Sequence, residues 1–111
     1  TTGTNNTAVG VQALNSNTTA NDNTAVGKNS LYGNTTGHSN VAVGLDSLKA
    51  NTTGIRNTAV GYQALLSATT AAGNTAFGAY AGDSTTTGAN NTFIGYYRCK
   101  QCKSWSKFFT R

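Results

Sequence analysis

The chain has 111 residues, enough for one domain, and contains thirteen glycines, no proline, no methionine and few charged residues, a composition that argues against an ordinary globular core. Its net charge of +5 is confined to the C-terminal end, since residues 1–97 hold three basic and three acidic side chains, and a neutral body excludes a nucleic-acid partner. No apolar run approaches the roughly 18 residues of a membrane span, so we expect no membrane insertion.

A 17-residue repeat fills residues 1–97, with units that start at 6, 23, 40, 57, 74 and 91. The first position is always asparagine: Asn6, Asn23, Asn40, Asn57, Asn74 and Asn91. Residues 1–5 are the end of a preceding unit, so we expect the chain to be a fragment of a longer protein. The unit is too short for a helical hairpin, and Thr, Asn and Gly form helices poorly. We therefore predict an all-β fold, a β-solenoid or β-roll with one coil per unit and two or three short strands in each coil.

Apolar residues recur at three positions of the unit. The fourth position is Val9, Val26, Val43, Val60, Phe77 and Ile94; the third is Ala8, Ala25, Ala42, Ala59, Ala76 and Phe93; the ninth is Leu14, Leu31, Leu48 and Leu65. Neighbours on a strand face opposite ways, so the third and fourth positions cannot both enter one core. We expect the valine and leucine columns inside the coil, and the alanine column against a second packed surface. So small an apolar surface per unit favours a trimer or another assembly.

Polar residues at fixed positions predict turns and ladders. The fifth position is Gly10, Gly27, Gly44, Gly61, Gly78 and Gly95, where a positive φ or a close backbone contact would explain the absence of a side chain. A Thr-Thr-Gly corner, as at residues 35–37, predicts a second turn. The stacked asparagines are predicted to form amide ladders between coils.

The string Asn-Thr-Ala-Val-Gly, repeated with Ala-Leu and Asn-Thr-Thr-Gly spacers over residues 1–97, resembles repeats of phage tail-fibre and related bacterial surface proteins. It is also similar to the Asn-Ser-Val-Ala-Ile-Gly repeat in the heads of trimeric autotransporter adhesins. The resemblance implies a trimeric β-roll or fibre shaft that displays a receptor-binding surface outside the cell. The 17-residue period is longer than the adhesin-head unit, which leaves the coil shape and the handedness open.

Groups suited to catalysis are sparse in the repeat. His38 is the only histidine and stands at a corner position. Asp22, Asp46 and Asp83 fall at three different unit positions, so the pattern gives no carboxylate pair for acid–base chemistry. Cys99 and Cys102 form a C-x-x-C, but a structural zinc site needs four ligands. We predict no catalytic residue, no metal site and no cofactor.

Residues 98–111 share neither the period nor the composition of the repeat, and they carry five basic residues: Arg98, Lys100, Lys103, Lys107 and Arg111. One interpretation is a cap on the last coil. Another is a frameshift, because codons allowed for residues 97–110 can be chosen so that the next reading frame encodes Thr-Gly-Ala-Asn-Asn-Val-Lys-Val-Gly-Ala-Asn-Ser-Ser. That string is the repeat again. We favour the frameshift, which would leave the C-x-x-C without a selected function.

These features predict a structural fibre shaft or adhesin segment, extracellular on a cell surface or a virion. Its partners are expected to be further copies of itself and a cell-surface receptor or glycan. Ice binding by stacked threonine ranks is the alternative, although a flat rank needs Thr-x-Thr on one strand face and this repeat has adjacent threonines. A functional amyloid is a third interpretation, and the glycine turns at fixed phase argue against it.

Overall fold

A computed structural model describes residues 2–97 and 108–109 of the chain. The fold is all-β, with strands β1 Thr7–Val9, β2 Thr24–Val26, β3 Val41–Val43, β4 Thr58–Val60, β5 Thr75–Phe77, β6 Thr92–Ile94 and β7 Phe108–Phe109. They form one sheet in chain order. Because every pairing is parallel, the chain winds once around between successive strands from β1 to β6. The predicted β-solenoid is confirmed.

The strands of the repeat body pair in strict register. Ala25 lies opposite Ala42, and Ala42 lies opposite Ala59, so equivalent unit positions stack through the sheet. Backbone hydrogen bonds between coils continue outside the strands, as from Leu31 N–H to Ser47 O at 3.0 Å. At the C-terminal side, Thr92 of β6 lies opposite Phe108 of β7. The other residues of the tail 98–111, including the C-x-x-C, lie outside the described residues.

The prediction of two or three strands in each unit is wrong for the described coils, because each contains one strand of three residues. Three positions of the unit hold residues in the left-handed region, where extended backbone cannot continue. These are the seventh (Gln12, Asn29, Asp46, Gln63, Tyr80, Tyr97), the ninth (Leu14, Leu31, Leu48, Leu65, Gly82) and the seventeenth (Asn5, Asp22, Ser39, Arg56, Gly73, Asn90), with φ between 50° and 71°. The coil therefore turns at corners after one short strand.

The fifth-position glycines combine a positive φ with close backbone contact. Their φ angles lie between 121° and 134°. A Cβ built on Gly44 would lie 2.6 Å from the carbonyl oxygen of Gly61, and the same contact repeats from coil to coil. Any side chain at this corner would push neighbouring coils apart, which accounts for a column that contains only glycine.

The core is made of the alanine and leucine columns. Ala25, Ala42, Ala59 and Ala76 are fully buried, as are Leu31, Leu48 and Leu65. The prediction for leucine is confirmed, but the prediction that valine faces inward and alanine outward is wrong. The outer column comprises Val9, Val26, Val43, Val60, Phe77 and Ile94, whose members are half-buried or exposed. The coil is narrow, so the strand wall contributes a methyl group and the opposite wall contributes the larger leucine.

At one place in the core the small and the large residue change places, so that the large one is at the third unit position and the small one at the ninth. Phe93 replaces alanine at the third position of the sixth unit, and Gly82 replaces leucine at the ninth position of the fifth. A Cβ on Gly82 would lie 2.6 Å from Phe93 Cδ2 and 3.0 Å from Leu65 Cδ2. The Phe93 ring therefore fills the volume that a leucine side chain occupies in the other coils, which keeps the core filled.

This exchange predicts strong coupling between the two positions. Phe93→Ala should destabilise the chain by roughly 3 kcal/mol, because it empties the space above Gly82. Gly82→Leu alone should also destabilise it, by overpacking against the ring. The double variant restores the alanine–leucine pair of the other coils and should recover most of the loss. Urea unfolding of the four proteins measures the coupling, and additive effects would contradict this account.

Candidate functional site

A continuous asparagine ladder closes each coil and joins it to the next. The Oδ1 of Asn40 accepts from the backbone N–H of Asn57 at 2.9 Å, and the Oδ1 of Asn57 accepts from that of Asn74 at 3.0 Å. The Nδ2 of Asn57 donates to the carbonyl of Ala71, fourteen residues later, at 2.7 Å. Five members make both bonds: Asn6, Asn23, Asn40, Asn57 and Asn74. Asn91 continues the ladder by donating its backbone N–H to the Oδ1 of Asn74. Each of the five amides thus ties the start of its coil to the end of the same coil.

A second asparagine column, at the twelfth position, is shorter. Asn51 Nδ2 donates to Asn34 Oδ1 at 2.8 Å, whereas the next unit has Ala68 at this position. The buried Oδ1 of Asn51 consequently has no hydrogen-bond partner. The column is therefore a structural feature of the N-terminal coils rather than a site aimed at a ligand.

Two ranks of threonine run along the Thr-Thr corner, and they differ in their environment. The hydroxyls of four threonines at the thirteenth position donate to a carbonyl of the next coil, as from Thr35 to Thr52 at 3.2 Å. The threonines at the fourteenth position, Thr19, Thr36, Thr53, Thr70 and Thr87, are all exposed. Adjacent threonines thus face different ways, as expected from their spacing, and one unbroken rank lies on the surface.

The exposed large apolar residues of the described chain lie on the outer side of the strands and on the corner that follows it. The second and fourth unit positions point outward here, and we call their side chains the strand face. All nine large hydrophobic residues that are exposed in the described chain lie between the second and seventh unit positions: Val9, Val11, Val41, Leu45, Tyr62, Phe77, Ile94, Tyr96 and Tyr97. Val9 is 57% exposed. The surface of the solenoid therefore differs around the coil, with large apolar residues between the second and seventh unit positions and an exposed threonine rank at the fourteenth.

A cluster of four tyrosines lies at the corner beside the strand face. The rings of Tyr80 and Tyr97 are stacked, with centroids 4.2 Å apart. Tyr62 and Tyr96 each meet the Tyr80 ring nearly at right angles, with centroids at 5.2 and 5.9 Å. Burial raises the pKa of Tyr80 to about 12, assisted by a hydrogen bond with Tyr62, so this phenol stays protonated even in mildly alkaline solution.

Sequence reasoning missed the tyrosine cluster, although the signal was present. Tyr62 and Tyr96 share the sixth unit position, and Tyr80 and Tyr97 share the seventh. In a solenoid, residues at equal positions of successive units stack, which predicts the contact between Tyr80 and Tyr97. Tyr62 and Tyr96 stand one position earlier in the units around Tyr80, close enough to join them. The cluster was missed because neither the sixth nor the seventh position holds tyrosine in every unit.

The residues weighed for catalysis are dispersed. His38 is half-buried, with Nδ1 3.2 Å from Ser39 Oγ, and Asp46 Oδ1 accepts from Asn29 Nδ2 at 3.0 Å. Within residues 2–97, no group of three or more His, Cys, Asp or Glu side chains is placed to hold a metal ion. The same part of the chain contains no helix long and apolar enough to cross a membrane.

Comparison with known proteins adds no family to these observations. The chain matches no protein-family model, no curated protein and no solved structure.

Proposed function

We propose that this chain is a shaft segment of an extracellular fibre, on a cell surface or a virion, which associates with further copies of itself through the strand face. Four large apolar residues exposed on that face, Val9, Val41, Phe77 and Ile94, are the observation that supports the proposal. Contiguous apolar surface of this kind marks association sites in soluble proteins. The strict register of the coils suits a rigid rod, because each coil contacts only its neighbours and the rod lengthens by adding units.

The strand face also has the charge distribution of a self-association surface. Its second and fourth positions contain only Thr, Val, Phe and Ile from β1 to β6, so two copies would bury no unpaired charge. Flat columns of β-branched residues on two rods can interdigitate as side chains do between packed sheets. A trimer or a filament satisfies this geometry, since each copy presents the same columns along its length.

The proposal predicts that charge on the strand face dissolves the assembly and leaves the coil folded. Val43→Lys with Phe77→Lys should reduce the particle to the mass of one chain in light scattering, while the circular dichroism spectrum stays that of the parent. Thr53→Lys with Thr70→Lys, at the exposed Thr-Thr corner outside the strand face, is the matched control and should assemble normally. A parent protein of single-chain mass at micromolar concentration, or assembly that survives the first pair, would refute association through this face.

Ice binding is a second candidate, favoured by the unbroken rank of exposed threonines at the fourteenth position. The strand face adds a second column of threonine, at the second unit position, where five of the six strands have threonine and the other has Val41. Thermal hysteresis of the parent, abolished by replacing Thr36 and Thr53 with tyrosine, would establish ice binding in place of the shaft. Absence of hysteresis together with an elongated assembly in solution scattering would retain the shaft.

A further inference from the structure

We propose that Tyr80 and Tyr97 are the site of an oxidative dityrosine cross-link, formed by a peroxidase and hydrogen peroxide, which ties the fifth unit covalently to the sixth. Four of the five tyrosines of the chain, Tyr62, Tyr80, Tyr96 and Tyr97, lie in one cluster. The fifth, Tyr32, stands at the tenth position of another unit. Phenols held in contact are the arrangement that coupling between two tyrosine radicals needs.

The rings of Tyr80 and Tyr97 are already in contact, face to face. The angle between the ring planes is 2°, and the centroids are 4.2 Å apart. Both residues stand at the seventh unit position, with φ angles of 62° and 54°, so the two side chains leave the backbone in the same direction. A hydrogen bond joins the two side chains. The oxygen-bearing ends of the rings therefore lie together, and so do the ortho carbons, Cε1 and Cε2, that flank each oxygen.

The other ring contacts of the cluster are edge-to-face. Tyr62 and Tyr96 meet Tyr80 at 87° and 82°, with centroids 5.2 and 5.9 Å away, and Tyr96 meets Tyr97 at 81°. An edge-to-face pair points the edge of one ring at the face of the other, so it does not bring two sets of ortho carbons side by side. The stacked pair is therefore the one placed to form a carbon–carbon bond.

An oxidant reaches the cluster from solvent. Tyr62, Tyr96 and Tyr97 are exposed, whereas Tyr80 is half-buried. A peroxidase takes electrons from exposed phenols, and a radical formed on Tyr62 or Tyr96 passes to Tyr80 because these rings are in contact. The chain has no methionine, so one common competitor for the oxidant is absent.

The reaction removes two electrons and two protons. Each phenol loses one electron and its O–H proton and becomes a phenoxyl radical. The two radicals couple through one ortho carbon of each ring, and the hydrogen on each coupled carbon then moves through solvent to an oxygen, which restores both phenols. The two electrons and two protons reduce one hydrogen peroxide to two waters, with the peroxidase as the electron carrier.

Peptide mapping detects this bond, because a single cleavage site lies between the two tyrosines. In the range 57–98, Arg98 is the only basic residue and Asp83 is the only acidic one. Trypsin and an Asp-specific protease therefore cut the denatured parent into peptides 57–82 and 83–98. When the folded, cysteine-alkylated parent is first treated with a haem peroxidase and hydrogen peroxide, these peptides should appear joined, two hydrogen atoms lighter than the pair. The cysteines and the tryptophan of the chain follow residue 98 and fall on other peptides.

Phenylalanine variants identify the two partners, since they keep the ring and its packing and remove only the hydroxyl that a phenoxyl radical requires. Tyr80→Phe and Tyr97→Phe should each abolish the joined peptide. Tyr62→Phe, inside the cluster, and Tyr32→Phe, outside it, are the controls and should retain it. On a denaturing gel the oxidised parent should keep the mass of one chain, because the bond joins two coils of the same molecule.

The cross-link should also make the coils harder to unfold, because a bond between residues seventeen positions apart restricts the unfolded chain. The treated parent should unfold at a higher urea concentration than Tyr97→Phe treated in the same way. Equal urea midpoints would contradict a covalent tie between the coils. A treated parent without the joined peptide, a joined peptide that persists in Tyr80→Phe, or products with the mass of two chains in place of the internal bond would overturn the proposal.

Discussion

Ala76→Asp is expected to unfold the coils around β5. Ala76 is fully buried in the third-position column, between Ala59 and Phe93 in the neighbouring strands. A carboxylate there would be surrounded by apolar side chains, and burying an unpaired charge costs several kcal/mol even after local relaxation. That cost is comparable with the total stability of a domain of this size. Thermal unfolding followed by circular dichroism measures the effect, and the expected result is loss of the cooperative transition.

The adjacent residue provides the control, since it lies on the same strand and faces the other way. Phe77 is exposed, so Phe77→Asp should change the free energy of unfolding by less than about 1 kcal/mol when the chain is monomeric. Its effect should appear in the assembled mass instead. Similar loss of stability in both variants would mean that the strand is oriented differently from the arrangement described above.

Asn57→Ala is expected to have the second-largest effect, about 4–5 kcal/mol, because one amide serves several buried groups. Its removal takes the donor from the Ala71 carbonyl and the acceptor from the Asn74 N–H, both inside the solenoid. Each buried group left unsatisfied costs about 1–3 kcal/mol. The lost bond to Asn74 joins the fourth unit to the fifth, so the substitution weakens the contact between two neighbouring coils.

Asn15→Ala is the matched control for that variant, because Asn15 is an exposed asparagine in a corner of the first unit. Its unfolding free energy should stay within about 0.5 kcal/mol of the parent. Urea unfolding measures both variants. An Asn57 variant as stable as the Asn15 variant would show that the ladder contributes little, and that backbone hydrogen bonds alone hold the coils together.

The fold was predictable from the sequence because a strict period is a long-range constraint that can be read directly. Equal spacing of Asn23, Asn40 and Asn57 requires equivalent residues to stack, and the leucine column could be assigned to the core from its apolar character. The facing of the strand was not predictable by the same argument. Alternation shows that alanine and valine face opposite sides, but which one enters the core depends on the width of the coil, and that width is set by corners the sequence does not specify.

The candidate sites were harder to predict, for a different physical reason. Structural residues such as Gly44 recur at the same position of every unit and are therefore easy to recognise in the sequence. Tyr62 and Tyr80 belong to the sixth and seventh positions, which hold no residue shared by all the units. A search for shared residues overlooks a site that is made of differences between units.

The three left-handed residues of each coil also determine how the solenoid must form. An unfolded chain places a non-glycine residue in that region only a few per cent of the time, so a coil without a neighbour rarely sets all three at once. A coil that forms against a finished one is guided by bonds such as Asn29 N–H to Val11 O at 3.0 Å. Folding should therefore resemble crystal growth, with a slow nucleation of the first pair of coils and rapid addition of later ones. Rods with more units would share the same initiation step, and their folding rate would depend little on length.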